Sequence, residues 1–453
     1  MPEVVIVGAG PAGLSAASVL VEHGLRPVVI DEAKRPGGQA YRAPAAGLDL
    51  PMDALLGSES RKYRRLHARF AAIAGQLDHW PETLAWNVQE GKVFTVSRSG
   101  IEALAYDALI LAPGAVDRLM PVKGWTLPGV YTLGGAQVLL KDQGCLIGRR
   151  IAFCGSSPLL YLAALQCRMM GAEVVAVLDT TPFSRKIGAV PRLLASPRTL
   201  ARGLAYLAKL RSRGIPVRHG VRSLEIAGAE GVEGVTYREA SGEIRTLACD
   251  AVALGFGLRP EFQLAELAGS ALRYDATFRQ WFPVCDIDGR LAKGLYTAGD
   301  GSAIGGADAA ELSGALAAYA VLEDNGASVP QAKLRSLRRR LRRLRRFQEG
   351  LASAFAWPHA WLGETQDDVI VCRCEGVTAG EVRRIARAEF GGSEINRMKA
   401  LSRLGMGRCQ GRFCALAAAE LSAAALGRPH ADFGRLRGQA PVKPLPMSAR
   451  LEP

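Results

Sequence analysis

The sequence predicts an α/β chain built from two Rossmann-like dinucleotide-binding domains and a small helical module near its C-terminus. Three observations carry that prediction. The β-branched run VVIV at residues 4–7 leads directly into GAGPAG and an Ala/Leu-rich helical stretch. A strand–turn–helix–strand of the same outline recurs at residues 149–179. Four cysteines then gather late in the chain, in one C-x-C pair and one C-x4-C pair.

The first motif supplies Gly8, Gly10 and Gly13 in G-x-G-x-x-G spacing, with Pro11 and Ala12 filling the turn. Each glycine has its own reason. Gly8 permits the tight turn, Gly10 lets backbone approach a pyrophosphate, and Gly13 lets helix pack on strand. The helix that follows presents unpaired N–H groups to phosphate. A second strand, RPVVID, ends in Asp31, 23 positions after Gly8, where a carboxylate can accept from a ribose hydroxyl. Glu32 is the alternative acid.

At 453 residues the chain is long enough for two or three domains. Charged residues make up 22% and apolar ones 49%, which is ordinary for a globular protein. No apolar run reaches the ~18 residues of a membrane span. Val4 already begins a strand, so no leader is expected and a cytoplasmic setting is. The net charge of +14 would suggest nucleic acid, but residues 331–350 alone carry +8 of it. There Leu334, Leu337, Leu341, Leu344 and Leu351 form one apolar stripe among arginines. That pattern predicts a helix docked on its own chain or on a partner. Contact with a membrane surface is the alternative, and nucleic acid is disfavoured because no aromatics interleave the arginines.

Three further stretches narrow the first domain's ligand. PGGQAYR at 36–42 supplies Gly38, Gln39 and Arg42; YDALILAPGA at 106–115 is a strand ending at Gly114; GLYTAGDGSAIGG at 294–306 is a strand ending in Gly299–Asp300. In this order the motifs resemble the flavoprotein family of glutathione and thioredoxin reductases. The resemblance implies a glutathione-reductase-like fold and FAD, with Gly299 and Asp300 at its ribityl and pyrophosphate region. The second motif keeps Gly155 but has Ser157 and Leu160 where the other glycines belong. A side chain at the pyrophosphate and a Leu at the helix–strand contact both oppose dinucleotide binding. NAD(P) is therefore not expected. The redox C-x-x-C of the disulfide reductases is absent, and Cys145, Cys154, Cys167, Cys249 and Cys285 read as buried structural thiols.

Cys372 and Cys374 are alternate positions of a strand and face opposite ways, which disfavours a disulfide between them. With Cys409 and Cys414 they frame two short helices, for which Thr378 and Ser393 are the expected N-caps. Four thiolates on two loops suit a metal centre, zinc or iron–sulfur. Structural zinc sites usually use C-x2–4-C, which weighs against zinc. The arrangement resembles the bacterioferritin-associated-ferredoxin-like [2Fe-2S] module, which implies cluster ligation by all four cysteines.

The whole-chain order, and PGGQAYR and GMGRCQGRFC in particular, resembles the larger flavoprotein subunit of heteromeric amine dehydrogenases: octopine and nopaline oxidases, hydrogen cyanide synthase and D-hydroxyproline dehydrogenase. The resemblance implies a partner subunit like D-amino-acid oxidase that oxidises a C–N bond of an amino acid, imino acid or opine. It also implies electron flow through this chain to an acceptor other than O2, such as a quinone. Further implied components are an FMN at a subunit interface and a small ferredoxin-like subunit. No catalytic residue is expected in this chain itself. Two other readings compete: an NAD(P)H-dependent reductase feeding its own cluster, and a scaffold that holds only an adenine nucleotide. The expected domains are a first FAD segment at 1–120, a degenerate nucleotide domain at 121–245 and a second FAD segment at 246–328. An Arg-rich helix and linker at 329–366, the cluster module at 367–428 and a Pro-rich tail or strap at 429–453 complete the chain.

Overall fold

The computed structural model describes residues 2–449. Its first sheet has six strands, in the order Arg290–Ala292, Leu295–Thr297, Ala108–Leu111, Val4–Val7, Val28–Ile30 and Asp78–Trp80. Val4–Val7 lies at its centre, parallel to Val28–Ile30 on one side and to Ala108–Leu111 on the other. A strand buried on both faces reads as an unbroken apolar run rather than an alternation, and VVIV is that run. Helix Pro11–Glu22 packs on helix Gly306–Asp324, so closely that a Cβ at Gly314 would stand 2.0 Å from the Ala12 carbonyl oxygen.

The second sheet has five parallel strands: Val217–His219, Glu173–Asp179, Arg150–Gly155, Ala251–Gly255 and Val130–Thr132. Strand Ala251–Gly255 pairs with Arg150–Gly155, so the second domain extends past residue 245, where the sequence suggested it ended. Strands Ala115–Asp117 and Leu258–Pro260 run antiparallel as the two-strand bridge between the domains. The boundary therefore falls near residue 257. Sequence pattern missed it because GFG after an apolar strand looks the same in either domain.

The Arg-rich stretch is one helix, Gln331–Ala354. Leu334 and Leu341 are buried in the first domain's core, with Leu337 and Leu344 beside them. Leu351 and Phe347 pack with Leu193 of helix Phe183–Leu193. The stripe thus docks on this chain. Arg338 pairs with buried Asp288 at 2.7 Å, while Arg335, Arg339, Arg340, Arg342, Arg343 and Arg346 remain exposed. Among the described residues no helix is long and apolar enough to cross a membrane.

The C-terminal module starts with strands Ile370–Cys372 and Val377–Thr378 and continues with helices Ala379–Arg387, Ile395–Ser402 and Ala415–Ala425. Thr378 caps the first helix through its hydroxyl, which accepts from the Glu381 N–H at 3.3 Å. The second helix is capped by Glu394 rather than Ser393; its carboxylate accepts from the Asn396 and Arg397 N–H groups. Residues 429–449 of the tail are held on the chain; 450–453 lie outside the described residues. Phe433 is buried in the module core, and Val442 donates its N–H to the Trp86 carbonyl at 3.0 Å on the first domain. The strap closes on its own chain.

A buried polar node joins the module to the two domains. Glu420, on helix Ala415–Ala425, faces Arg118 at 3.5 Å and accepts from Trp357 Nε1 at 3.1 Å and Arg279 Nε at 3.3 Å. Arg118 also lies over the Trp357 ring at 3.8 Å and donates to the Phe278 carbonyl at 3.0 Å. Burial pulls Arg118 down to about 9 and His430, 3.4 Å from Glu420, down to about 4. Removing one partner of such a pair strands a buried charge, which typically costs about 3–5 kcal/mol. Glu420→Ala should therefore lower the urea midpoint, and the double variant Glu420→Leu with Arg118→Met should recover much of it. For His430 the unfolded value is about 6.5, so its neutral form stabilises the fold fully above that pH and progressively less as pH falls toward 4. Thermal midpoints measured between those pH values should fall less steeply in His430→Asn than in the native chain.

Candidate cofactor cavity and cysteine loop

One cavity of about 1050 Å³ opens at the carboxyl ends of the first sheet's strands and runs toward the second domain. That is the top of the ~300–1,000 Å³ range for small-molecule sites, large enough for a dinucleotide. Gly8, Gly10, Pro11, Ala12, Asp31, Glu32, Gly38, Gln39, Arg42, Gly114, Gly299 and Asp300 all line it. Gly13 does not. A Cβ there would sit 1.8 Å from the Gly8 carbonyl oxygen and 3.3 Å from Ile6, which is the helix-on-strand role expected of the third glycine.

The cavity wall at the Gly-rich turn is bare backbone. A Cβ on Gly38 would come 3.0 Å from the Gly10 Cα, whereas one on Gly10 would meet nothing nearer than 3.7 Å and would stand in the cradle itself. Helix Pro11–Glu22 has no side-chain cap and no acid in its first turn, so its N-terminal N–H groups are free for an anion. Asp300 accepts from the Gly305 and Gly306 N–H groups at 2.8 and 2.9 Å, both at Oδ1, leaving Oδ2 without a donor among the described residues. Burial holds its carboxyl above the usual carboxylate range. This donor-and-acceptor set fits the phosphates and hydroxyls of FAD.

Asp31 is more committed than its position suggested. Its Oδ1 accepts from the Ala33 N–H at 2.7 Å and its Oδ2 from the Ala9 N–H, so it braces the Gly-rich turn. Glu32 pairs with Lys443 of the tail. Sequence reasoning missed Val442 and Lys443 at this mouth, because a Pro-rich tail carries no periodicity to place it. It also missed Lys141 and Arg412, two cations among apolar neighbours.

The second turn is filled. Leu160 is fully buried, Ser156 and Ser157 nearly so, and the Gly155 Cβ position lies 2.0 Å from the Gly255 carbonyl oxygen. Asp179, at the end of the second strand, is sealed in a cluster. It accepts from Tyr161 Oη at 2.5 Å and the Thr181 N–H at 2.8 Å, and pairs with Lys186, which also donates to Tyr161 at 2.7 Å. No carboxylate is left there for a ribose.

The cysteine loop borders the same cavity. Arg412 and Phe413, between Cys409 and Cys414, line it. The loop is clamped from the second FAD segment: Arg259 donates to the Gly411 and Arg412 carbonyls at 3.1 and 2.8 Å, and Gln263 Nε2 to the Gln410 carbonyl at 3.0 Å. Arg412 reaches Glu261 at 2.5 Å and the Val442 carbonyl at 2.6 Å. The four thiols lie near enough for the charge of one to act on the next. The neighbouring Cys414 thiol pulls Cys372 down to about 6 and Cys409 down to about 5, while Cys414 itself is pushed well above its ordinary value by those two neighbours and by burial. Among the described residues no three His, Cys, Asp or Glu side chains form a ready-made metal cage. A Cβ at Gly407 would strike that of Cys374 at 2.3 Å, so the two loops meet through a glycine. Of the isolated cysteines, Cys154, Cys167 and Cys249 are buried, but Cys145 is exposed because it follows the helix end at Gly144, and Cys285 is half-buried.

Two Rossmann-like domains joined by a two-strand bridge, with a Gly-lined cavity in the first, define a dinucleotide-dependent oxidoreductase. Residues 2–318 match the pyridine nucleotide-disulphide oxidoreductase family. The opine oxidase A-subunit of Rhizobium meliloti is 36% identical over 98% of this chain and 86% of its own length. Hydrogen cyanide synthase subunit HcnB of Pseudomonas aeruginosa is 32% identical over 98% and 97%. The chain belongs to the pyridine nucleotide-disulphide oxidoreductase family, and within it to the group of these two subunits. Among solved structures, L-proline dehydrogenase from P. horikoshii covers 100% of this chain and 79% of its own at TM-score 0.71 and 21% identity. T. acidophilum thioredoxin reductase covers 72% of this chain and 98% of its own at 0.53 and 21%. Both are likenesses of fold.

The two glycine roles separate by experiment. Gly10→Ala should keep its thermal midpoint but lose most bound flavin, measured by visible absorbance after desalting. Gly13→Ala should lose stability first.

Proposed function

We propose that this chain is the FAD-bearing subunit of a heteromeric dehydrogenase that oxidises a C–N bond of an amino acid, imino acid or opine. Electrons would pass from FAD to a [2Fe-2S] cluster on Cys372, Cys374, Cys409 and Cys414, and on to an acceptor other than O2. The observation that carries this reading is the shared wall: the loop bearing two of the four cysteines is also a wall of the Gly-rich cavity. When bound, FAD supplies two-electron acceptance with one-electron release, and the cluster supplies a one-electron carrier.

The residues supply the rest. Gly10 and Gly38 let a pyrophosphate reach the helix N-terminus, and Asp300 Oδ2 is open to a hydroxyl. Four free cysteines on two loops that meet where Gly407 faces Cys374 are the donor set that iron–sulfur chemistry needs. The two relatives are themselves subunits of larger enzymes, which supports a partner here, expected to resemble D-amino-acid oxidase. Phe183, Ile187, Val190, Leu194 and Leu204 are 39–60% exposed, an apolar patch of the kind that partners cover. The filled second turn and sealed Asp179 support a chain that does not take electrons from NAD(P)H.

The test is the visible spectrum of the purified chain under anaerobic conditions. Flavin bands with a broad iron–sulfur shoulder should be unmoved by NADH and bleached by amino-acid or opine substrate only with the partner present. Cys374→Ser should remove the shoulder and leave the flavin bands. Rapid bleaching by NADH alone would instead make this chain a reductase in its own right, and zinc by metal analysis would remove the cluster.

A further inference from the structure

The charged side chains that line the cavity can be accounted for one by one. The acids are all engaged. Asp31 and Asp300 bind backbone N–H groups, Asp117 accepts from the Gly134 N–H at 3.0 Å, Glu59 from Tyr41 Oη at 3.0 Å, Glu261 from Arg412, and Glu32 pairs with Lys443. Four of the six cations are engaged too: Lys186 with Asp179, Arg202 with Glu59, Arg412 with Glu261 and Lys443 with Glu32.

Two cations are left over. Arg42 and Lys141 both line the cavity, and among the described residues neither forms an ion pair or a side-chain hydrogen bond. Lys141 is only 4% exposed, and Arg42 Nε is buried without an acceptor. They come from different domains, Arg42 from the loop after PGGQAY and Lys141 from helix Leu133–Gln143, whose carboxyl end meets that loop through the Ala45 N–H and the Asp142 carbonyl at 2.7 Å. Burying a lysine without a counter-charge is costly, and burying it beside a second cation costs more. Burial, aided by the field of Arg42, pulls Lys141 down to about 8. A chain carries such a pair when something outside it brings the missing negative charge.

We propose that Lys141, acting with Arg42, is a cofactor-binding residue that receives an anionic group of the ligand in this cavity. The group is either a phosphate or the reduced flavin ring, which also bears negative charge. The inference rests on the reading of the cavity as a flavin site and adds a residue that no glycine motif marks. It makes Lys141 a site where affinity and stability oppose each other, because the charge that binds the ligand strains the empty fold. A lysine with a packing role alone would show no such opposition.

The experiment compares the native full-length chain with K141M and K141R, stripped of flavin and then titrated separately with FAD and with ADP. K141M should weaken FAD binding about tenfold or more, the range of a charge-assisted hydrogen bond, while raising the thermal midpoint of the stripped chain. K141R should restore the affinity. If ADP weakens in parallel with FAD, the group is a phosphate. If ADP is unaffected and the flavin of K141M becomes harder to reduce, the group is the ring. FAD binding to K141M with native affinity and an unchanged reduction potential would overturn the proposal. So would a lowered midpoint in stripped K141M, which would make the lysine structural. A native chain that binds no FAD at all would overturn the flavin reading itself, and is told apart because the native control fails first.

Discussion

The ion pair between Arg412 and Glu261 is the constraint on which the rest of the arrangement depends. Arg412 belongs to the cysteine loop, Glu261 to the strand-and-turn that follows the inter-domain bridge, and both are largely buried against the cavity. The same guanidinium holds the tail through the Val442 carbonyl, and Arg259 holds the loop's own carbonyls from behind. One arginine therefore fixes three things together: the loop, the cavity wall and the strap over its mouth. A buried pair of this kind adds little net stability, but it specifies one geometry, since each partner is costly when alone.

That constraint also ties in the second domain. Its five-stranded sheet contributes Ala251–Gly255, which leads into the bridge strand Leu258–Pro260 that carries Arg259 and is followed by Glu261. Leu160 is packed where a third glycine would stand, and Asp179 is engaged by Tyr161 and Lys186. Its helix Leu133–Gln143 also brings Lys141 to the cavity. The domain thus helps position the cavity wall.

The fold was legible where local chemistry decides it. VVIVGAGPAG fixes a buried parallel strand, a positive-φ turn at Gly8 and a helix N-terminus with no tertiary information. The leucine stripe at residues 334–351 likewise declared its buried face. What stayed hidden was decided by distant contacts. The domain boundary depended on which sheet Ala251–Gly255 joins, the tail's path on the Trp86 carbonyl, and the cation pair on two elements about a hundred residues apart. Asp31 is the instructive middle case. Its position was right, but its oxygens brace Ala9 and Ala33, because a short acid at the strand end reaches the turn's own N–H groups.

Whether the cavity and the cysteine loop form one electron path can be decided by photoreducing the purified chain and following it by low-temperature electron paramagnetic resonance. Light absorbed by the flavin should produce the signal of a reduced [2Fe-2S] cluster, growing as the flavin bands bleach. Complete bleaching with no cluster signal, in a chain shown by analysis to contain iron and sulfide, would contradict that path.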